Sequence, residues 1–313
     1  MTKNNWSLAI FAARETPRVL MRSVAAVLKA APAGLTIDVL ANGNPTLANA
    51  LKKALSQRLT RPDEVTLRLW HIPHGDKANA WNQYCHQIWQ GQALTFFVDG
   101  YARPLPDSLH LLGDAVMGSA LAQGGSGVPT VGHSAPVLRA NVLKNGGIHG
   151  NLCCIKGSFM ARIKQRGIRL PVGLYRTDSM MGAMMTYDLR PATHDWNDAR
   201  LLVHSDATWD MDDLVWWRPS STFIYWSRRL RQARGDLEME AFKDFFSLHK
   251  SAPELLPATS HAMVMDWIQR CPELAQPLLR GHPLRLWALR RLKQELPPTP
   301  QDLLPTLMWS SGG

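Results

Sequence analysis

The stretch Thr95-Phe96-Phe97-Val98-Asp99-Gly100-Tyr101-Ala102-Arg103-Pro104 is an apolar strand that ends on one carboxylate and then breaks. In open α/β sheets the buried strands are near-continuous apolar runs, and ligands bind beyond their carboxyl ends. Asp99 therefore stands where a metal ion or a phosphorylated substrate is held.

Working outward toward the amino terminus, residues 6–13, 35–40, 65–72 and 94–98 have strand character, and 17–31, 46–59 and 77–89 have apolar residues at helical spacing. Thr16 is placed to cap the first helix, with Pro17 at its first position. Strands alternating with helices of this length imply crossover units and a mostly parallel sheet covered on both faces. The first hundred residues thus form a nucleotide-binding type of half-domain. On the other side a helix is expected to about residue 122, then a Gly/Ser-rich loop at 123–127 and a less regular region to about 210. That region includes a strand at 152–155 and a helix at 157–166. Beyond 210 the texture changes to amphipathic helices at 223–234, 239–249, 262–271 and 284–296, with a loose Pro-rich end at 297–313.

The 313 residues carry 35 Lys and Arg against 25 acids, a net charge of +10 that favours an anionic partner. Nucleotide, phospholipid and nucleic acid all qualify. The basic residues are spread along the chain without a helix-turn-helix, an aromatic RNA-binding strand or zinc spacing, which argues against nucleic acid. Cys85, Cys153, Cys154 and Cys271 show no metal spacing and read as reduced, buried thiols of a cytoplasmic protein. The amino terminus lacks a signal-peptide pattern, and no apolar run is long enough to span a bilayer.

Three polar clusters fall near the ends of the expected strands. Asn42-Gly43-Asn44 suits either a nucleobase contact or a plain turn. Gly75-Asp76-Lys77-Ala78-Asn79-Ala80-Trp81-Asn82 puts a lysine and two asparagines at a helix start that favours phosphate, with Asp76 as an N-cap. Tyr175-Arg176-Thr177-Asp178-Ser179-Met180-Met181 puts a carboxylate before a Met-rich helix, where it serves either as a cap or as a general base.

In this order the segments resemble the family-two glycosyltransferases, inverting enzymes with the GT-A fold, over about residues 8–183. Ala13, Arg14 and Glu15 look like the family's loop beside the nucleotide, and Asn42 stands where the family has an Asp on the base. Lys77 through Asn82 is similar to its Lys-x-x-Ala-x-Asn helix. Asp99-Gly100-Tyr101 resembles its Asp-x-Asp strand end, with Tyr101 in place of the second Asp. The resemblance makes Asp178 the catalytic base, with Thr177 where the family has Glu, and makes His149, Gly150 and Asn151 the sugar or acceptor pocket. It also implies Mg2+ or Mn2+ near Asp99, for which His204 is a separate candidate ligand, and Arg228 and Arg231 either close over the diphosphate, as in the family, or form a solvated basic face.

The expected architecture is a GT-A domain, a Rossmann-like α/β/α sandwich, over residues 1–215, followed by a helical extension over 216–313. The domain divides into a nucleotide-sugar half at 1–105 and an acceptor half at 106–215. The expected activity is transfer of a sugar from a nucleotide-diphosphate sugar to a glycan or lipid-linked acceptor, as in cell-surface polysaccharide or glycoconjugate synthesis. Trp216, Trp217, Trp226, Trp267, Trp287 and Trp309 among Arg280, Arg285, Arg290 and Arg291 suit either core packing or peripheral contact with the inner membrane face. A non-catalytic module on the same scaffold is the rival reading. A nucleotidyltransferase would need a Gly-rich loop after the first strand, which residues 11–17 lack.

Overall fold

Three apolar strands in the first hundred residues are buried along nearly their whole length, and they fix the centre of the molecule. The computed structural model describes residues 5–57, 62, 64–131, 135–212, 219–292 and 304–312, without the side chains of 219–225 and 228. The chain runs β1 (Trp6–Ala12), α1 (Pro17–Ala30), β2 (Thr36–Asn42), α2 (Pro45–Gln57), β3 (Thr66–Ile72), α3 (Lys77–Gln83) and β4 (Leu94–Asp99). Thr16 caps α1 by accepting the Val19 N–H, and Pro17 opens the helix. The helix that opens at Lys77 closes as a wider turn over Tyr84–Ile88.

There follow β5 (Arg103–Pro104), α4 (Ser108–Gly118), β6 (Gly124–Pro129), α5 (Ala135–Asn145), β7 (Cys153–Lys156), α6 (Gly157–Gln165), α7 (Thr177–Thr186) and β8 (Leu201–Asp210). The last part holds α8 (Pro219–Lys243), α9 (Ser260–Arg270), α10 (Pro272–Arg280), α11 (Pro283–Leu292) and β9 (Thr306–Ser310). The described strands form one sheet in the order β5-β8-β6-β7-β4-β1-β2-β3-β9. β1 pairs in parallel with β2 on one side and β4 on the other, which creates the crevice at the carboxyl ends of β1 and β4. Phe11 there lies opposite Asp99.

Side chains alternate across the sheet, so each face has its own core. Leu8, Ile10, Phe96 and Val98 pack under α1, α2 and α4, whereas Ala9, Phe11 and Phe97 pack toward α3, α6 and α7. Cys153 and Cys154 are divided between the two cores, and all four cysteines are buried and free. Helices α8 to α11 join the second core through Leu237, Phe242, Val264, Trp267, Ala275 and Leu292.

Three expectations need correction. The Gly/Ser-rich segment at 123–127 is not a loop: Gly124 to Pro129 form the buried strand β6. A Cβ on Gly124, Gly125 or Gly127 would meet a carbonyl of a neighbouring strand at 2.5, 2.7 or 2.4 Å, so the glycines serve close strand approach. The irregular region before 210 ends in the ten-residue strand β8. The Pro-rich end is not loose where it is described: β9 pairs antiparallel with β3, and Leu67 and Ser311 exchange two hydrogen bonds at 2.9 Å. Among the tryptophans, Trp267 is core, Trp309 packs against the sheet, and Trp226 and Trp287 are exposed. Trp216 and Trp217 lie outside the described residues. No described helix is long and apolar enough to cross a membrane.

Candidate active site

Four loops meet at the carboxyl ends of the first strands, and they hold one another by short polar contacts. After β1, the Glu15 carboxylate accepts the N–H groups of Ala13 (2.7 Å) and Arg14 (3.0 Å), folding the loop on itself. Asn44 donates to the Ala13 carbonyl, binding that loop to the one after β2. Asn42 is buried and its side-chain oxygen accepts the Asp76 N–H. Gly43 adopts the left-handed region (φ 64°), and a Cβ there would lie 2.2 Å from the Gly75 Cα. Only glycine allows these two loops to touch.

Lys77 projects from the start of α3 between two carboxylates. Its Nζ lies 2.8 Å from Asp99 Oδ1 and 3.5 Å from Asp178 Oδ1, above the Phe11 ring. Phe11, Trp81 and Phe97 stack beneath as an aromatic floor, with the Trp81 and Phe97 rings 3.9 Å apart. Burial works against the Lys77 charge, but Asp178 and then Asp99 outweigh it and hold the ammonium well above its ordinary range. Tyr101 donates its hydroxyl to Asp99 Oδ2 (3.1 Å), and burial together with that carboxylate keeps the phenol protonated. Gly100 donates to the Phe11 carbonyl, and a Cβ there would lie 3.0 Å from Ala12.

The segment 149–178 closes the other side. Asp178 sits in the first turn of α7, but it does not cap the helix and neither does Thr177. Instead Asp178 accepts the Gly150 N–H (3.0 Å) and the Thr177 hydroxyl (3.2 Å). Burial alone would raise its pKa; Lys77 first, then His149 and these donors, bring it below the usual carboxylate range. The Gly150 carbonyl accepts the Asp99 backbone N–H, so one glycine ties the end of β4 to the Asp178 carboxylate. A Cβ on Gly150 would lie 2.6 Å from Lys77 Nζ and 2.8 Å from Asp178 Oδ2. His149 stacks on Trp209, and burial lowers its pKa, leaving it neutral at pH 7. Among the described residues the buried Asn151 side-chain oxygen has no hydrogen-bond partner.

Some expected site residues are employed elsewhere. Asn82 is buried, and its amide exchanges two 2.8 Å hydrogen bonds with the Leu170 backbone, so it ties α3 to the loop before Asp178. His204 Nδ1 accepts the N–H groups of Asp206 and Ala207 in β8, a local bond within that strand. Arg231 lies on α8 one turn before Arg234, whose guanidinium reaches the Gly173 carbonyl. The Arg228 side chain lies outside the described residues. The Asp76 cap on Asn79 is present (2.6 Å), but its other oxygen takes the Gly173 N–H across 97 residues, which no local pattern signals. Trp209 and Ser126, which hold the His149 ring and N–H, also lack any motif.

The arrangement brings a fixed cation and two carboxylates from opposite halves of the chain to one point. No protein-family model matches the chain, and no curated protein matches it. Among solved structures, the mannosyltransferase from Pyrobaculum calidifontis in complex with GDP-Man and Mn2+ matches with a TM-score of 0.58 and 16% identity, over 93% of this chain and 85% of that one. GalNAc-T7 with UDP, GalNAc and Mn2+ matches with a TM-score of 0.45 and 11% identity, over 89% of this chain and 58% of that one. The first likeness is one of fold: the chain has the GT-A glycosyltransferase fold.

Proposed function

We propose that the protein is an inverting glycosyltransferase that moves a sugar from a nucleoside-diphosphate donor to an acceptor hydroxyl. The observation that carries this reading is the meeting of Asp99 and Asp178 on the Lys77 ammonium, at the crevice of the parallel sheet. The donor lies along the loops of Ala13, Arg14, Glu15 and Asn42, with its diphosphate drawn to Lys77 and to the α8 arginines. Asp178, ionised at neutral pH, takes the proton of the acceptor hydroxyl as that oxygen attacks the anomeric carbon. The nucleoside diphosphate departs from the opposite face, and the configuration inverts. His149, Gly150, Asn151 and Thr177 line the sugar and acceptor side.

Mg2+ or Mn2+ fits this site as an ion shared with the donor. Among the described residues no three His, Cys, Asp or Glu side chains gather to bind a metal by themselves. Yet Asp99 and Asp178 already converge on one positive charge, and their hard oxygens suit such a cation. Asp99 would hold the ion, with diphosphate oxygens completing the ligand set. When bound, the ion neutralises the charge of the leaving diphosphate. The Pyrobaculum calidifontis mannosyltransferase, in complex with both GDP-Man and Mn2+, supports this reading. We assign the acceptor to the glycan or lipid-linked class, reached by a cytoplasmic enzyme at the inner membrane face.

The test is transfer from a panel of sugar nucleotides with and without Mn2+, by the wild type, Asp178→Asn and Asp99→Ala. Loss of a general base is expected to cost about 100- to 10,000-fold in rate. Equal rates in all three proteins would sink the assignment. Nucleoside-diphosphate binding without turnover in the wild type would instead favour a binding module, which the Tyr101 substitution at the second Asp position makes the competing reading.

A further inference from the structure

The helices after residue 216 carry no recognisable motif, yet one of their side chains reaches the backbone beneath Asp178. Glu238, on α8, is fully buried. Its carboxylate accepts the Tyr175 N–H (2.9 and 3.1 Å), the Arg176 N–H (3.1 Å), the Ser260 hydroxyl (2.7 Å) and Arg234 Nε (2.9 Å). A carboxylate so deeply buried is costly unless its partners are complete, and here each oxygen has at least two. Those partners join three elements: the loop before α7, α8 itself and the start of α9.

Helix α7 has no side-chain cap of its own at Arg176. Glu238 instead supplies a carboxylate from a distant helix to the two N–H groups that immediately precede α7, where a negative charge also meets the helix dipole. Gly235 completes the contact, because a Cβ there would lie 2.6 Å from Arg176 Nε. From the other side Asp76 Oδ2 takes the Gly173 N–H, and the Arg234 guanidinium takes the Gly173 carbonyl. The turn at 173–176 is thus gripped between the start of α3 and the middle of α8, and Asp178 follows two residues later.

We propose that Glu238 is a positioning residue that fixes the backbone from which the base Asp178 projects, making the carboxyl-terminal helices part of the catalytic machinery. This rests on the reading of Asp178 as the base. A displacement of about 1 Å in a reacting group can cost about 100-fold in rate without loss of fold.

The experiment uses the full chain with Glu238→Gln, which keeps the shape but removes the charge, Ser260→Ala, which removes one donor, and Asp178→Asn as reference. Glu238→Gln is expected to lower kcat about 100-fold while the donor KM and calorimetric nucleoside-diphosphate binding stay within about twofold. Hydrogen exchange at the Tyr175 and Arg176 amides should quicken, and the acid limb of the kcat profile should move. Ser260→Ala should give a smaller change of the same kind. Wild-type kcat in Glu238→Gln beside an inactive Asp178→Asn would overturn the positioning role. So would a loss of kcat that runs in parallel with lost nucleoside-diphosphate binding, since that pattern marks a general loss of structure. Wild-type kcat in Asp178→Asn would mark failure of the base reading, whatever Glu238→Gln does.

Discussion

The two rims of the cleft are built by different means. The strand-end rim is made of loops that follow successive parallel strands, and its bonds run within one loop or between the loops of adjacent strands: Glu15 to Ala13 and Arg14, Asn44 to Ala13, Asn42 to Asp76. The opposite rim, from His149 to Asp178, is held from elsewhere in the chain. Ser126 and Trp209 fix His149, Asn82 fixes Leu170, Asp76 fixes Gly173, and Glu238 fixes Tyr175 and Arg176. A parallel sheet sets the first rim wherever it forms, because every crossover returns the chain to the same edge. The second rim exists only once distant helices have docked.

The sharpest way to break the join between the rims is Gly150→Ala. The added methyl would displace both the Lys77 ammonium and the Asp178 carboxylate, flexible side chains that can yield without unfolding the sheet. Transfer should fall about 100-fold. Thermal unfolding should stay near that of the wild type, and a parallel collapse of both would show that Gly150 serves stability instead.

Lys77→Met comes next, acting on the charge that both rims share. We expect kcat/KM to drop about tenfold or more, the worth of one hydrogen bond to a charged group. The pH dependence has a definite sign. In the wild type the Asp178 carboxyl lies below its unfolded value, so its contribution to stability is present above that value and is lost as pH falls through the folded one. Without Lys77, burial prevails and the carboxyl titrates higher. The acid limb of the rate profile and the acid unfolding midpoint should both shift to higher pH. A limb that stays in place would separate Lys77 from Asp178.

The smallest effect on chemistry is expected from Asn82→Ala, which cuts a tether of the rim at 149–178. Two hydrogen bonds to the buried Leu170 backbone are lost. The stability loss should be about 2–4 kcal/mol in denaturant unfolding, with donor binding little altered. If donor affinity fell while stability held, Asn82 would return to the donor site.

The strand-end rim was legible at the level of residues. Apolar runs bounded by Asn-Gly and Gly-Asp turns announced the strands, and the polar residues just after them were the ones that meet. The opposite rim has no local pattern of its own, and only the family resemblance at 147–178 singles it out. Local spacing left Asp178 open as a cap, because a carboxylate in a first helical turn satisfies that role wherever the helix lies. The glycines of β6 misled for a similar reason: a run that reads as flexible by composition serves tight packing when strands flank it on both sides. Neither Asp76 on Gly173 nor Glu238 on Tyr175 has any local trace, since each spans more than sixty residues.

By itself the sequence determined the alternation of strands and helices, the place of Asp99 at a strand end and the basic charge that invites an anionic partner, because hydrophobic period and turn chemistry act over a few residues. Only the tertiary structure decided that Asp99 and Asp178 share Lys77, that Asn82 is a tether, that β9 adds to the sheet beside β3 and that Glu238 stands behind Asp178. Those outcomes depend on which buried polar groups can satisfy one another, and that matching is made across the whole chain at once.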